Sequence, residues 1–389
     1  MSKVEKKKIL FIIWALESGG AERALINLLN ELPEEKYEID LMLIAGKGFY
    51  FNQLPDYVCV IEPPEDLKKL YGSTLKAGRL MPAKLIGTAF SKLMHKHYKL
   101  YRWKHFYSKH IACCPEHYDV AVAFMSGELS AIVAEKINAN KKIIFVHNDY
   151  IASDMEWEYE QEYFDQVDNI ITISQTCVDS IIKTFPTLTT SVSYLPNINS
   201  SAVIKCRAEE FVPEDMTGDI KILSIGRLES AKAFDRAIES AKILKERGLS
   251  FCWYVIGAGS LKDELIRQIE RNGLIEEFVL LGLRKNPYPY IKNADIVVQT
   301  SNFEGKSMVL DEAKILGKPI VVTDYPTAKD QVKNEKEGLI VDMTAEAVAE
   351  GIIRIINDAD LKHSIKNYLV KHEYGNQSEV EKYIKLFDS

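Results

Sequence analysis

The sequence predicts an α/β protein built from two doubly wound domains that face a cleft. The chain has 389 residues, which is more than a single hydrophobic core usually supports. Strand-like and helix-like segments alternate along most of its length. The strand-like segments are continuous runs rich in Val and Ile, which are typical of parallel strands covered on both faces. Two runs of βα units therefore predict two parallel sheets with helices on both sides.

The first elements lie in "ILFIIWALESGGAERALINLLNEL", residues 9–32. The apolar start predicts a strand, Ser18, Gly19 and Gly20 predict a turn, and the leucines that follow recur at helical spacing. The next segment, "YEIDLMLI", predicts a second strand. A secretory signal is the alternative, but the apolar run is short and no small-x-small cleavage site follows it. The pattern therefore favours a strand, a turn and a helix whose free N–H groups point at the turn.

Further βα units follow on either side of a polar segment, residues 193–219. The helical patterns "AFDRAIESAKILKERG" and "SLKDELIRQIERNG" each end at a glycine. We therefore predict domains of residues 1–197 and 198–374, with a C-terminal helix in residues 375–389 that packs back on the first domain. The remaining strands are predicted in "YDVAVAF", "KKIIFVH", "NIITIS", "IKILSIG", "SFCWYVIG", "FVLLG", "DIVVQTS" and "PIVVTD".

Composition and charge narrow the class of protein. A hydrophobic content of 47% and a charged content of 27% are ordinary for a soluble globular protein, and no apolar stretch approaches the roughly 20 residues that span a bilayer. A net charge of −7 argues against a general nucleic-acid binder. Six scattered cysteines without metal-ligand spacing indicate reduced thiols. We expect a cytoplasmic protein that holds no metal and binds no nucleic acid.

Residues 67–115 contain no Asp or Glu, and their lysines and arginines are interleaved with apolar and aromatic side chains. Such a stretch can lie on an anionic membrane surface. Alternatively, it forms ordinary helices whose apolar sides complete the core and whose lysines are solvated. The sequence leaves both alternatives open. The residues concerned include Lys76, Arg79, Lys84, Lys92, Lys96, Lys99, Arg102, Leu80, Met81, Leu85, Ile86, Phe90, Leu93, Met94, Tyr98 and Trp103.

The most informative motif is "SNFEGKSMVLDEAKILGKPIVVTD", residues 301–324, which follows a predicted strand. Glu304 lies in the turn and Glu312 lies on the helix, so both carboxylates can accept hydrogen bonds from hydroxyl groups. Free N–H groups are expected at the start of this helix, where they can meet a phosphate. They belong to the segment of Lys306, Ser307 and Met308. The motif therefore predicts a site for a sugar, a diphosphate and a ribose.

A second motif, "SIGRLESAKAFDRAI", places Arg227 and Lys232 in a loop between a strand and a helix. Two cations beside a helix N-terminus predict a diphosphate site. In a third motif, "VIGAGSLKDEL", Lys262 occupies the third glycine position of a dinucleotide fingerprint, so a tight turn without NAD is expected. His147 ends the strand of "IIFVHND", where sites of parallel sheets gather. Asp360 in "NDAD" is interpreted as a helix N-cap rather than a metal ligand.

Together these segments resemble the retaining glycosyltransferases of the GT-B fold, in particular the large family 4, or group 1. The resemblance covers nearly the whole chain and includes "SGGAERALINL", "FVHND", "YLPNIN", "EGLIV" and the two motifs with Arg227 and Glu304. It implies two Rossmann-like doubly wound domains, the first on the acceptor side and the second for the donor. It also implies that a sugar moves from a nucleotide donor with its anomeric configuration retained and without a metal ion. A UDP-sugar is expected rather than a GDP-sugar.

The resemblance also implies roles for single residues. Arg227 and Lys232 would hold the donor diphosphate, Glu304 would contact hydroxyls of the donor sugar, and Glu312 would contact the ribose. The family commonly has "EGFG" where this chain has "EGKS", so Lys306 and Ser307 would alter the donor-sugar contacts. In the first domain, His147 would lie near the transferred sugar, and Gly19 and Gly20 would close over phosphate or acceptor. In the second domain, the nucleobase would lie against Leu283 and Arg284. Ala233 stands where the family usually has a glycine.

The expected function is therefore formation of a glycosidic bond in a bacterial cell-surface polysaccharide or glycoconjugate, on a glycan or lipid-linked acceptor. The basic stretch would suit a peripheral position on the inner face of the plasma membrane. Two alternatives stay open. One is a catalytically silent GT-B protein that acts as partner or chaperone of another transferase. The other is a nucleotide-sugar epimerase on the same fold.

Overall fold

The computed structural model describes residues 6–17, 19–72, 77–93, 98–151 and 159–389. The chain divides into two units, residues 1–197 with 379–389 and residues 198–378. Each unit contains one parallel β-sheet with helices around it, so the predicted α/β class with two sheets is confirmed. Some residues named from the sequence lie outside the described part, in whole or by their side chains: Ser18, Lys76, Lys92, Leu93, Met94, Lys96 and Tyr98.

The first unit is organised around a seven-stranded sheet whose neighbouring strands all run parallel. The strand order is β3-β2-β1-β4-β5-β6-β7. The order therefore reverses between β1 and β4, which is where ligands of such sheets bind. The strands are β1 (Lys7–Ile13), β2 (Tyr37–Leu43), β3 (Val58–Ile61), β4 (His117–Ala123), β5 (Asn138–Val146), β6 (Asn169–Thr172) and β7 (Ser191–Tyr194).

Helices cover both faces of this sheet. The predicted first helix is present as α1, with Gly19 as its N-cap, and its apolar face is buried. Buried residues of β1, from Ile9 to Ile13, form the centre of the core because β1 is paired on both sides. The helices are α1 (Gly20–Glu31), α2 (Glu65–Tyr71), α3 (Met81–Leu93), α4 (Tyr98–Arg102), α5 (Glu128–Lys136), α6 (Glu160–Phe164) and α7 (Gln175–Thr184).

The second unit has a six-stranded parallel sheet in the order β10-β9-β8-β11-β12-β13. Its order reverses between β8 and β11, so the loops after these two strands mark the expected ligand site. The strands are β8 (Lys221–Ile225), β9 (Cys252–Ile256), β10 (Phe278–Gly282), β11 (Ile296–Gln299), β12 (Ile320–Thr323) and β13 (Gly338–Val341). The helices are α8 (Ser201–Arg207), α9 (Phe234–Glu246), α10 (Lys262–Arg271), α11 (Tyr288–Asn293), α12 (Met308–Ile315), α13 (Ala328–Gln331), α14 (Ala345–Asn357) and α15 (Ala359–Lys371).

The last helix, α16 (Val380–Asp388), belongs to the first unit although it follows the second in the chain. Its Phe387 is fully buried, and the ring centroid lies 5.9 Å from that of Phe11 and 6.2 Å from that of Tyr37. The Tyr383 hydroxyl donates to the Pro196 carbonyl at 3.0 Å. The chain therefore passes twice between the units, at 197/198 and at 378/379.

The described residues of the basic stretch 67–115 lie partly in the core and partly on the surface. Leu80 and Trp103 are buried in the core of the first unit, and Arg102 Nη2 lies 3.0 Å from Oε1 of the buried Glu128. Helix α3, in contrast, exposes a row of apolar side chains at helical spacing. Among the described residues, no helix is both long and apolar enough to cross a bilayer. The exposed side chains are Met81, Leu85, Ile86 and Phe90, which retain 37% to 53% of their accessible surface.

Candidate active site

The loop after β8 is hydrogen-bonded to the residues that follow β11. A short 3-10 turn, Ser230–Lys232, leads into Ala233, whose left-handed backbone (φ 46°) opens α9. The Thr300 hydroxyl lies 3.0 Å from the carbonyl oxygens of both Lys232 and Ala233. The Asn302 N–H donates to the Ala231 carbonyl at 2.8 Å. Because β8 and β11 are neighbours, these contacts hold two predicted motifs at one edge of the sheet. Since a left-handed backbone favours glycine, the alanine at 233 carries backbone strain that the usual glycine would not.

The glycines of "VIGAG" allow the loop after β9 to approach the loop after β8. A Cβ on Gly257 would lie 1.9 Å from the Gly226 carbonyl oxygen, and one on Gly259 would lie 2.4 Å from that of Leu228. The Leu228 N–H donates to the Ala258 carbonyl at 2.9 Å. Close packing of two backbones therefore accounts for this partial dinucleotide fingerprint.

Lys232 and Glu304, predicted from separate motifs, form an ion pair in the structure. The Lys232 ammonium contacts Glu304 Oε1. The same oxygen accepts the Ser301 hydroxyl at 2.7 Å and lies 3.2 Å from Gln299 Nε2. The Lys232 and Glu304 side chains retain 19% and 15% of their accessible surface. The site therefore presents a cation and an anion side by side at the switch point of the second sheet.

Arg227 lies on the same loop and is exposed. Its guanidinium makes no hydrogen bond or ion pair with any residue that the structure describes. Five N–H donors of a permanently charged group are thus available to a ligand, on the loop that also carries Lys232.

The start of α12 differs from the prediction. The Ser307 N–H, expected to be free for a phosphate, donates to Gln331 Oε1 at 2.7 Å, and the Ser307 hydroxyl donates to Gln299 Oε1 at 2.6 Å. An amide oxygen can satisfy a helix N-terminal N–H as an anion would, so the expectation of a free Ser307 N–H is wrong. Met308 is buried. The amide side chains could not be recognised from the sequence, because no chemical motif contains them.

Lys306 is held by α12 itself. Its ammonium lies 3.6 Å from Asp311 Oδ2, and Lys314 lies 3.0 Å from Asp311 Oδ1. Burial alone would raise the pKa of Asp311, but the charges of Lys314 and Lys306 hold that pKa below its usual value. Glu312, on the same helix, is fully buried. Glu304 is therefore the more accessible of the two predicted carboxylates.

The segment expected to meet the nucleobase follows β10. Leu283 is 36% exposed. Arg284 donates from Nη2 to Asp215 Oδ2 at 2.6 Å, from Nε to the Tyr290 hydroxyl at 2.8 Å and from Nη1 to the Leu281 carbonyl at 2.5 Å. Each guanidinium nitrogen of Arg284 is thus engaged within the second unit. Its side chain supports the loop, and Leu283 is the more accessible surface.

In the first unit, His147 follows the end of β5. Its ring packs against Phe124, with centroids 4.9 Å apart, and is stacked with Phe145 at 6.0 Å. Burial lowers the pKa of His147 to about 4, with a smaller opposing effect of the Phe124 backbone. The imidazole is therefore neutral near pH 7.

The glycine turn before α1 has an acidic neighbour. A Cβ on Gly19 would lie 2.1 Å from a Glu22 carboxylate oxygen, whereas one on Gly20 would meet no atom within 4 Å. A carboxylate at this place repels a phosphate and can accept a hydroxyl. Gly19 thus leaves room for the Glu22 carboxylate, and the expected roles of Gly19 and Gly20 over phosphate or acceptor stay predictions.

Comparison with known proteins adds evidence for the class of enzyme. A family model described as glycosyl transferases group 1 matches residues 207–372, within the second unit. The chain is 27% identical over 363 residues, 93% of each chain, to the Campylobacter jejuni N-acetylgalactosamine-N,N'-diacetylbacillosaminyl-diphospho-undecaprenol 4-alpha-N-acetylgalactosaminyltransferase. It is 25% identical over 371 residues, 92% of each chain, to a second Campylobacter jejuni enzyme, named as an alpha-1,4-N-acetyl-D-galactosaminyltransferase of a diNAcBac-PP-undecaprenol saccharide.

Solved structures share the two-sheet fold at low sequence identity. Anabaena HepE in complex with UDP-glucose superposes with a TM-score of 0.70 and 16% identity, covering 97% of this chain and 98% of that one. A Staphylococcus aureus TarM mutant in complex with fondaparinux, alpha-GlcNAc-glycerol and UDP gives 0.68 and 14%, covering 99% and 100%. These likenesses support the fold over the whole chain.

Proposed function

We propose, from the premise that this chain is a glycosyltransferase whose second unit matches group 1, that it transfers a sugar from a nucleotide-sugar donor to a glycan or lipid-linked acceptor. The sugar keeps its anomeric configuration, as in family 4. The product belongs to a bacterial cell-surface polysaccharide or glycoconjugate. The observation that carries this proposal is the Lys232–Glu304 ion pair at the switch point of the second sheet, on a loop that also carries the exposed Arg227.

The chemistry of a nucleotide sugar matches this arrangement. Its diphosphate is anionic and its sugar carries hydroxyl donors, so one molecule can satisfy Arg227, Lys232 and Glu304 together. As the bond to the sugar breaks, negative charge grows on the departing diphosphate. Arg227 and Lys232 offset that charge in place of a metal ion. Neutral His147 and the Gly19–Gly20 turn act on the acceptor side, where the imidazole offers a hydrogen bond rather than a charge.

Several observations support a UDP donor and a polyprenyl-linked acceptor. The solved neighbours are complexes that contain UDP or UDP-glucose, and the two Campylobacter relatives are named for undecaprenol-linked saccharides. In this proposal the uracil lies against Leu283, because the Arg284 guanidinium is engaged elsewhere. The ribose is assigned to Glu312, as in family 4, although this carboxylate is fully buried in the structure. The two alternatives on the same fold, a silent partner and an epimerase, have no such support.

The exposed face of α3 supports attachment to a membrane surface. Met81, Leu85, Ile86 and Phe90 project from one helix within a stretch that has no acidic residue. Apolar side chains flanked by cations favour the interface of anionic lipid. We place the protein in the cytoplasm, peripheral on the inner face of the plasma membrane, where a lipid-linked acceptor is presented.

The test is release of nucleoside diphosphate from a donor panel. UDP-GalNAc, UDP-GlcNAc, UDP-glucose, UDP-galactose and GDP-mannose are incubated with the protein, with and without a synthetic polyprenyl-diphosphate saccharide. We expect UDP release from one UDP-sugar that rises when the acceptor is added. NMR of the product should show the donor's anomeric configuration. Binding of donors without any transfer would contradict the enzyme proposal, and an inverted product would contradict retention alone.

A further inference from the structure

The Glu304 carboxylate is anchored through one oxygen only. All three donors, Lys232 Nζ, Ser301 Oγ and Gln299 Nε2, contact Oε1. Oε2 accepts no hydrogen bond from the residues that the structure describes. One half of the carboxylate is therefore fixed by the protein, and the other half is presented to a ligand.

Gln299 connects this carboxylate to the start of α12. It ends β11 and is 5% exposed. Its Oε1 accepts the Ser307 hydroxyl at 2.6 Å, while its Nε2 lies 3.2 Å from Glu304 Oε1 and 3.3 Å from the Tyr325 hydroxyl. Gln331 extends the chain of contacts, because its Oε1 accepts the Ser307 N–H at 2.7 Å.

The polarity of this chain follows from the carboxylate. An ionised carboxylate only accepts hydrogen bonds, so the NH₂ end of Gln299 must face Glu304. The oxygen of Gln299 then faces Ser307, whose hydroxyl must donate. Each of these buried donors faces an acceptor. Rotation of any one side chain would leave a buried donor or acceptor without a hydrogen bond, so the side chains keep a single arrangement. The amides thus fix where Glu304 points.

We propose that Gln299 is a positioning residue that anchors Glu304 Oε1, so that Oε2 faces a hydroxyl group of the donor sugar, with Gln331 holding the α12 N-terminus against it through Ser307. This inference rests on the proposed function, because it assigns the sugar part of the donor to Glu304. In this assignment Glu304 recognises the sugar, whereas Arg227 and Lys232 bind the diphosphate.

Calorimetric titration of the full chain with UDP and with the UDP-sugars of the panel tests this assignment. The variant Gln299→Met keeps the side-chain length and removes both amide contacts. We expect affinity for the preferred UDP-sugar to fall about tenfold, the effect of one lost hydrogen bond, while affinity for UDP changes less than about twofold. Gln268→Met is the matched control, because that amide also donates to a glutamate, Glu239 Oε1 at 2.9 Å, but lies on α10.

A second variant distinguishes anchoring of Glu304 from support of Ser307. Gln299→Glu keeps an acceptor for the Ser307 hydroxyl but places a like charge against Glu304. Anchoring predicts that Gln299→Glu weakens UDP-sugar binding more than Gln299→Met does. The opposite order, or equal losses of UDP and UDP-sugar affinity, would overturn the assignment. UDP binding also reports whether the second unit is folded in each variant.

The outcomes separate this inference from its premise. A wild-type protein that binds neither UDP nor any UDP-sugar contradicts the proposed function, and the inference falls with it. A wild-type protein that binds a UDP-sugar more tightly than UDP, with Gln299→Met unchanged, contradicts only the positioning role. A wild-type protein that binds both with equal affinity contradicts the contact between Glu304 and the sugar.

Discussion

Lys232 and Glu304 form an ion pair at the site, so each compensates the charge of the other. Arg227, in contrast, makes no hydrogen bond or ion pair with the described residues, although its charge acts on the nearby Glu229 carboxylate, and it is exposed to an incoming anion. Its contribution should therefore be greatest when negative charge develops on the departing diphosphate.

Arg227→Ala should lower kcat/KM for the donor. The loss of transition-state stabilisation should be about 3 kcal/mol or more, because a charge-assisted contact that strengthens during the reaction is lost. Steady-state kinetics of UDP release measure this effect. Arg267→Ala is the control, since Arg267 is also exposed in the second unit but lies on α10. Near wild-type kinetics in a folded Arg227→Ala protein would refute the assignment.

His147 should make the stability of the protein depend on pH. Its pKa of about 4 in the folded chain lies below the roughly 6.5 of an exposed histidine. The unfolded chain therefore binds the proton more readily between these values, and stability falls as the pH is lowered from about 6.5 to 4. The loss through this residue is up to about 3 kcal/mol.

Urea denaturation at several pH values between about 4 and 7 measures this dependence. His147→Gln should lose its part of the slope, because glutamine does not titrate. His363→Gln should keep the wild-type slope, since His363 is exposed on α15. Identical slopes for His147→Gln and the wild type would show that the buried imidazole does not cause the effect.

At this scale, the sequence could predict charged residues but not the amides that hold them. Arg227, Lys232 and Glu304 follow strand ends within recognisable motifs. Gln299, at the end of β11, and Gln331, on α13, both contact Ser307 only because the segments after β11 and β12 approach each other in the folded unit. No spacing in the sequence encodes that approach. The engaged Ser307 N–H was missed for the same reason.

Among the elements, strand prediction worked best where strands are buried on both faces. Central strands such as β1 and β11 are continuous apolar runs. Three strands that were not predicted, β3, β7 and β13, lie at sheet edges. The burial of β7 is low along its whole length, so its hydrophobic pattern is weak. Edge strands pack against fewer neighbours, and their sequences therefore carry less of the signal.

Helix α3 carries the prediction about membranes. The triple variant Leu85→Ser, Ile86→Ser and Phe90→Ser should reduce co-sedimentation with anionic vesicles, most clearly at high salt. Salt at about 1 M shortens electrostatic screening to about 3 Å, so the apolar contribution then dominates. Ile182→Ser is the control, because Ile182 is 53% exposed on α7 of the same unit. Equal binding of wild type and triple variant would favour helices that only complete the core.

At the scale of the whole molecule, the proposed mechanism uses positively charged side chains to stabilise the leaving diphosphate. Activity should therefore survive excess EDTA, because in the proposed mechanism Arg227 and Lys232 stabilise the leaving diphosphate without a metal ion. UDP release with and without chelator measures this. Complete loss in EDTA, restored by Mg²⁺ or Mn²⁺, would contradict the proposed mechanism.

Alternating patterns along the chain predict the two-sheet α/β fold, and the structure and its solved neighbours confirm it. Composition is ordinary for a globular protein, but it does not indicate which side chains meet in the core. That information lies in long-range packing, as the contacts of Phe387 with Phe11 and Tyr37 show.

The position of α16 has a consequence for biosynthesis. A ribosome makes all of residues 198–378 before it makes the helix that covers Phe11 and Tyr37. Domains usually fold as units during synthesis, starting from the N-terminus. Here the N-terminal unit must wait, so the second unit can finish folding first. We expect limited proteolysis of a released chain that ends at residue 378 to cleave the first unit more readily than the second.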